Sequence, residues 1–143
     1  MKSKIVIGNA GGFWGDDLSA FRRQLDGGKL DYLTMDFLAE ITMSILRKQQ
    51  LRNPELGYVT DFVNQIDENA LLIKEKKVKI ITNAGGINPI ECGRKIIEIL
   101  NKKKVNLKVA IVDGDNIVES LSNYYPDKES FVNLETKEES GKR

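Results

Sequence analysis

Histidine is absent from all 143 residues, and no other feature of the composition restricts the chemistry of this chain as much. The usual base of Ser and Cys nucleophilic systems is missing, and so is the commonest zinc ligand. Acid–base work must fall to Asp, Glu, Lys, Tyr, water or another chain. A single cysteine can form no internal bridge, so the signature of an oxidising compartment is missing too. Long apolar runs are also lacking. The opening segment Ile5-Val6-Ile7 is ended at once by Gly8, too short for a signal-peptide core, and no 18-residue apolar stretch follows. The expectation is a soluble, cytoplasmic protein with no membrane partner. Charge of one sign is equally scarce: 22 basic and 21 acidic residues leave a formal +1. The basic excess that a phosphate backbone selects is not there, which argues against nucleic acid as the principal partner.

What is present reads as one α/β domain. A chain of this size buries roughly 70% of its unfolded surface and can hold a core without disulfides or metal. Four apolar, β-branched runs predict strands: Lys4 to Gly8, Leu30 to Met35, Val78 to Thr82 and Leu107 to Val112. Each is apolar nearly throughout, as a strand covered on both faces must be. Between them lie helical stripes. Leu18, Phe21 and Leu25 form one, with Asp17 as N-cap and Gly27-Gly28 as the stop. A longer amphipathic helix spans Leu38 to Arg52, ending before Pro54. Phe62, Val63, Ile66, Ala70 and Ile73 form another stripe. Ile90, Gly93, Ile96, Ile97 and Leu100 form the last, opened by Asn88 as cap and Pro89 at the first helical position. The order β-α-β-α-α-β-α-β-α implies a three-layer, Rossmann-like parallel sheet of about four to five strands with helices on both faces. This domain is expected over residues 1–125. From Pro126 to Arg143 the composition turns polar, which predicts a tail or a truncated continuation.

One motif occurs twice. Ile5-Val6-Ile7-Gly8 runs into Asn9-Ala10-Gly11-Gly12, and Lys79-Ile80-Ile81-Thr82 runs into Asn83-Ala84-Gly85-Gly86. Ligands of parallel sheets bind outside the carboxyl ends of the strands. Glycine there lets backbone N–H groups approach an anion, and Asn offers both donor and acceptor. The plainer reading is two tight turns that need positive φ. Turn chemistry explains the glycines but not Asn at both places.

Three further features share that edge. Phe13-Trp14 in a Gly-rich turn is costly to expose, so it plugs the core or lines a pocket, with Trp14 as the candidate wall. Of Asp16 and Asp17, one caps the helix and the other is free for other work. At the end of the second strand stands Asp36. If helix starts there, Glu40 lies one turn on along the same face, pairing two carboxylates that can hold a divalent cation or act as acid and base. Capping is the alternative role of Asp36. Asp113 ends the fourth strand, as a further ligand or as part of a turn.

Other matches fail. Gly8 to Gly12 fits neither the dinucleotide fingerprint nor the P-loop. Tyr124 and Lys128 have the spacing of a short-chain dehydrogenase pair, but Pro126 between them breaks the helix that pair requires. Cys92, with no His to activate it, reads as a small core residue.

Taken together, Gly8-Asn9-Ala10-Gly11-Gly12-Phe13-Trp14-Gly15-Asp16, Leu30-Asp31-Tyr32-Leu33 with Met35-Asp36-Phe37-Leu38-Ala39-Glu40-Ile41-Thr42-Met43, and Thr82-Asn83-Ala84-Gly85-Gly86-Ile87-Asn88-Pro89 resemble the N-terminal domain of the acyclic terpene utilisation family. The likeness runs to about Glu135. It implies a part in bacterial breakdown of citronellol- and geraniol-type terpenoids through branched acyl-CoA intermediates. In such a protein, Asn9 and Asn83, with the backbone of Gly11, Gly12, Gly85 and Gly86, would hold a carbonyl oxygen or phosphate. Asp36 and Glu40 would transfer protons or hold Mg²⁺, as a lyase or hydratase acting on a CoA thioester requires. Trp14 would wall the acyl portion, and Asp16, Asn88 and Asp113 would complete the binding set. Typical members are several times longer. The resemblance therefore also implies a fragment, a split-gene product, or one piece of a two-chain enzyme. The alternative is a nucleotide- or CoA-binding module that is inactive alone, as a homo-oligomer or with a second chain.

Overall fold

A computed structural model describes residues 4–117, 120, 123 and 135–137. The remainder of the polar segment, with Tyr124 and Lys128, lies outside the described residues. The chain divides into two compact units, Met1–Val112 and Asp113–Arg143. The first carries β1 (Ile7–Asn9), α1 (Ala20–Gly27), β2 (Tyr32–Met35), α2 (Glu40–Arg52), α3 (Thr60–Lys76), β3 (Lys79–Thr82) and α4 (Pro89–Lys102).

The three strands form one parallel sheet in the order β1-β2-β3. Ile7 stands beside Tyr32 and Tyr32 beside Lys79; one step on, Leu33 joins Gly8 to Ile80, and Thr34 joins Asn9 to Ile81. Side chains of successive residues alternate between faces. Leu33 and Met35 therefore point to one side and are buried, whereas Ile7, Asn9 and Ile81 point to the other and are exposed. Parallel crossovers are right-handed in nearly all folds, so a sheet that grows in one direction carries its connecting helices on one face. The packing agrees. The Gln24 and Leu30 side chains crowd Gly8, α1 packs on α3 and α3 on α4, and Phe21, Leu25, Leu33, Ile66, Ala70 and Ile96 join one core.

Among the described residues the sheet has three strands, where four to five were expected, and four helices accompany it. The segment from Leu107 to Val112 forms no strand. Val105, Leu107 and Val109 alternate inward, as an extended chain against a core would, and Ile111 lies against Gly93 of α4. Side-chain alternation is satisfied without a backbone ladder, and only the ladder makes a strand.

The helices follow the predicted stripes with local adjustments. On α3, Phe62, Val63, Ile66, Ala70 and Ile73 are all buried. On α4 the buried line runs through Cys92, Gly93, Ile96 and Leu100, leaving Ile90 and Ile97 exposed. Helix α1 starts at Ala20. Its N-cap is Ser19, not Asp17 as expected; Asp17 accepts from the Ser19 amide at 2.8 Å and the Ser19 hydroxyl at 2.6 Å. These bonds, with Arg23, hold the Asp17 carboxyl down at about 2. Cys92 is buried as expected, and burial pushes its thiol up to about 11. No helix among the described residues is long and apolar enough to cross a membrane.

Candidate functional site

In a parallel sheet all strands end at one edge, so both Asn-Ala-Gly-Gly bends and Asp36 meet there. The central strand ends at Asp36, which ties the two bends together. Its backbone N–H donates to the Gly11 carbonyl at 3.1 Å, and its carboxylate accepts from the Asn83 amide at 2.6 Å. The Leu38 N–H donates to the same carboxylate oxygen at 3.2 Å. Asn83 answers by accepting from the Phe37 N–H at 2.9 Å. The hydrogen bond from Asn83, then that from Leu38, holds the Asp36 carboxyl below its ordinary value. Asp36 is an exposed, fixed anion with its second oxygen turned to no partner among the described residues.

Beside it opens a hollow of about 520 Å³, lined by Asn9, Thr34, Met35, Asp36, Ile81, Thr82 and Asn83. Asn9, Thr34 and Ile81 come from the uncovered face of the sheet, so the hollow is wide and bounded on one side only. The Thr34 hydroxyl donates to the Gly8 carbonyl at 3.2 Å. Its distance to the Asn9 side-chain oxygen Oδ1 is 3.4 Å. Among the described residues the Asn9 amide nitrogen donates to nothing. The site thus offers a carboxylate, an amide donor and a hydroxyl within one concavity.

The repeated motif divides into two different devices. In the second copy, Gly86 has a left-handed φ of +56°, and a Cβ there would meet Leu46 and stand 2.7 Å from the Gly57 carbonyl. Its N–H donates to the Asn83 carbonyl at 3.0 Å. A Cβ on Gly85 would strike Pro89 at 2.8 Å. These glycines close a tight turn and leave the Gly86 donor occupied. In the first copy nothing lies within 4 Å of a Cβ built on Gly11 or Gly12, and neither has positive φ. Packing does not require glycine there. The Gly12 N–H is nonetheless engaged, donating to Asp16 at 3.1 Å, and Asp16 also accepts from the Asp17 N–H at 2.8 Å. Asp16 is the brace of this loop.

The remaining candidates are placed as follows. Trp14 is half-buried against the core, and its indole N–H donates to Asp61 at the start of α3 at 2.9 Å. It fastens the loop to α3 and is not among the residues around the hollow. Phe13, expected to be covered along with it, is 60% exposed. Asn88 precedes Pro89 of α4 as predicted but forms no side-chain cap; its amide donates to the carbonyls of Pro54 at 3.0 Å and Leu56 at 2.8 Å. Helix α2 starts at Glu40, not near Asp36, so the one-turn spacing that would have paired the two carboxylates does not exist. No group of three or more side chains suited to a metal occurs among the described residues, and Asp36 alone would offer Mg²⁺ a single carboxylate. Asp113 belongs to the second unit. Thr34 and Ile81 were missed at the sequence level. Their signal was the period-two alternation of β2 and β3, which marks them only once one sheet face is known to be open.

The family profile described as acyclic terpene utilisation family protein AtuA matches residues 5–143. A comparison with curated proteins finds no match. Nor does any solved structure match.

Proposed function

The chain belongs to the acyclic terpene utilisation family, and from that premise we propose that the rim around Asp36 binds and transforms a branched acyl-CoA or hydroxy-acid derivative in cytoplasmic terpenoid catabolism, by a lyase- or hydratase-like reaction. One observation carries this reading: Asp36 is fixed by both flanking bends while keeping one carboxylate oxygen open to the hollow. A carboxylate held ionised suits two tasks. It accepts a hydrogen bond from a substrate hydroxyl, and it takes up a proton transiently when a β-hydroxy thioester loses or gains water. Its depressed pKa makes it a weak base, so the second task needs donors that stabilise the developing enolate oxygen. The Asn9 amide is the donor left available. Asn83, having given its amide to Asp36, acts as the positioning residue.

A second reading is favoured by a separate observation. Ile7, Ile81 and the half-buried Tyr32 face outward on a parallel sheet, a kind of sheet normally covered on both sides. The hollow opens on that same face. A binding module completed by another layer, from this chain or a second one, would restore the four to five strands and second helical layer of the expected architecture and close the site.

Calorimetric titration with branched 3-hydroxyacyl-CoA esters and free CoA tests the first reading. Wild type should bind the esters, Asn9→Ala should bind them on the order of tenfold more weakly, and Asp36→Asn should keep its fold but lose turnover. Equal turnover by Asp36→Asn and wild type would sink the catalytic assignment. Ester binding that appears only after a second chain is added would favour the module.

A further inference from the structure

Charge is spread unevenly over this nearly neutral chain. Residues 74–79, where α3 ends and β3 begins, hold four lysines and one acid, Glu75. Residues 102–108, at and beyond the end of α4, hold four lysines and no acid. All eight lysines are exposed. Only Lys77 and Val78 separate α3 from β3, α3 packs on α4, and Lys103 stands 2.9 Å from Asp67 of α3. Both clusters therefore lie toward the edge where the strands begin, opposite the Asp36 rim. Lys103 is neutralised by Asp67, and Lys79 lies over the Tyr32 ring at 5.3 Å. The other six form no ion pair among the described residues. The carbonyls of a helix C-terminus attract lysine, which accounts for those in the last turns. It does not account for Lys77 and Lys104. Both stand just past a helix with left-handed φ, +56° and +57°, where glycine is the usual residue because it has no Cβ to clash. Beside the second cluster is a hollow of about 280 Å³, where apolar Ile97, Leu100 and Leu107 meet polar Asn101, Lys104 and Asn106. Neither asparagine side chain has a partner among the described residues.

From this arrangement we propose that the edge opposite the Asp36 rim docks an acidic protein segment. Its carboxylates meet Lys77, Lys102 and Lys104, and one aliphatic side chain enters the hollow between Ile97, Leu100 and Leu107. Charge complementarity and the hollow together select this partner. Nucleic acid has no aliphatic side chain to fill the hollow, and it favours the bidentate grip of arginine, which both segments lack. A bilayer needs a broad apolar face, not a hollow the size of a side chain. A contact of one side chain and a few exposed charges is small, so the association is transient and weakened by salt. Docking at this edge leaves the Asp36 rim open, and the proposal does not depend on what that rim binds.

The test titrates the full chain with a glutamate-rich helical peptide bearing one central leucine, and with a counterpart in which serine replaces that leucine. Phosphatidylglycerol vesicles and single-stranded DNA serve as the competing polyanions. Wild type should bind the leucine peptide on the order of tenfold more tightly than the serine peptide. Raising the salt from low to physiological ionic strength should weaken both. The double variant Lys77→Glu with Lys104→Glu should lose the leucine peptide, and Lys102→Glu, at an ordinary helical position, should weaken it in the same direction. Ile97→Ser should erase the difference between the two peptides. Thermal unfolding should stay near wild type in all three variants, because the substituted side chains are exposed. Equal binding of the two peptides by wild type, or no peptide binding at low salt, would overturn the proposal. So would vesicles or DNA binding more tightly than the leucine peptide.

Discussion

The side chains of Asp36 and Asn83, 47 positions apart in the chain, are joined by a 2.6 Å hydrogen bond at the end of the sheet. This bond connects the central strand β2 to the bend after β3, while the Asp36 N–H connects it to the bend after β1. A single acidic residue therefore sets the spacing of the rim, and its ionisation is coupled to the geometry around it.

That coupling gives a pH dependence. The folded-state pKa of Asp36 is depressed, so its contribution to stability is present above the ordinary carboxylate range and is lost as pH falls through the folded value. Asn83→Ala should move the Asp36 carboxyl upward in a carboxyl-carbon NMR titration. The stability gap between variant and wild type should be widest near neutrality and narrow below about pH 4. A gap independent of pH would show that Asn83 acts only through Phe37.

The two glycine pairs should respond in opposite ways to alanine. Gly86→Ala combines a left-handed backbone with a clash against Gly57 and should cost at least about 2 kcal/mol in denaturant unfolding. Gly11→Ala meets empty space and should leave stability within about 0.5 kcal/mol of wild type, while weakening ligand binding at the rim. Equal destabilisation by both would contradict the division of the motif.

Trp14 is the only tryptophan and reports on its own anchor. Trp14→Phe keeps the apolar body and deletes the bond to Asp61, which should cost about 1 kcal/mol. Asp61→Asn should shift the Trp14 emission without altering far-ultraviolet circular dichroism.

Cys92 offers a check on the core. Its thiol is buried and raised to about 11, so at pH 8 it should label with a thiol reagent only as fast as the protein opens. Labelling at the rate of a free thiol in native buffer would place Cys92 outside the core.

Much of this protein could be read directly from local pattern. The 3.6-residue stripe of α3 and the stop at Gly27-Gly28 appear where composition placed them, because they depend on near neighbours in the chain. The return of Asn-Ala-Gly-Gly after two apolar runs marked the rim for the same reason. A helix start near Asp36 was not to be had from local pattern, because the backbone of Phe37 and Leu38 is bonded to Asn83 and Asp36 and α2 begins only at Glu40.

The sequence by itself determined the four helices, three of the four expected strands and the absence of histidine chemistry, since each of these follows from residue identity and short-range periodicity. Tertiary structure decided which Asn is a brace and which keeps its amide donor open, which glycines are packed and which are open, and which sheet residues stay exposed among the described residues. Those distinctions arise from contacts between residues tens of positions apart, and identical four-residue motifs carry no information about what will be brought against them.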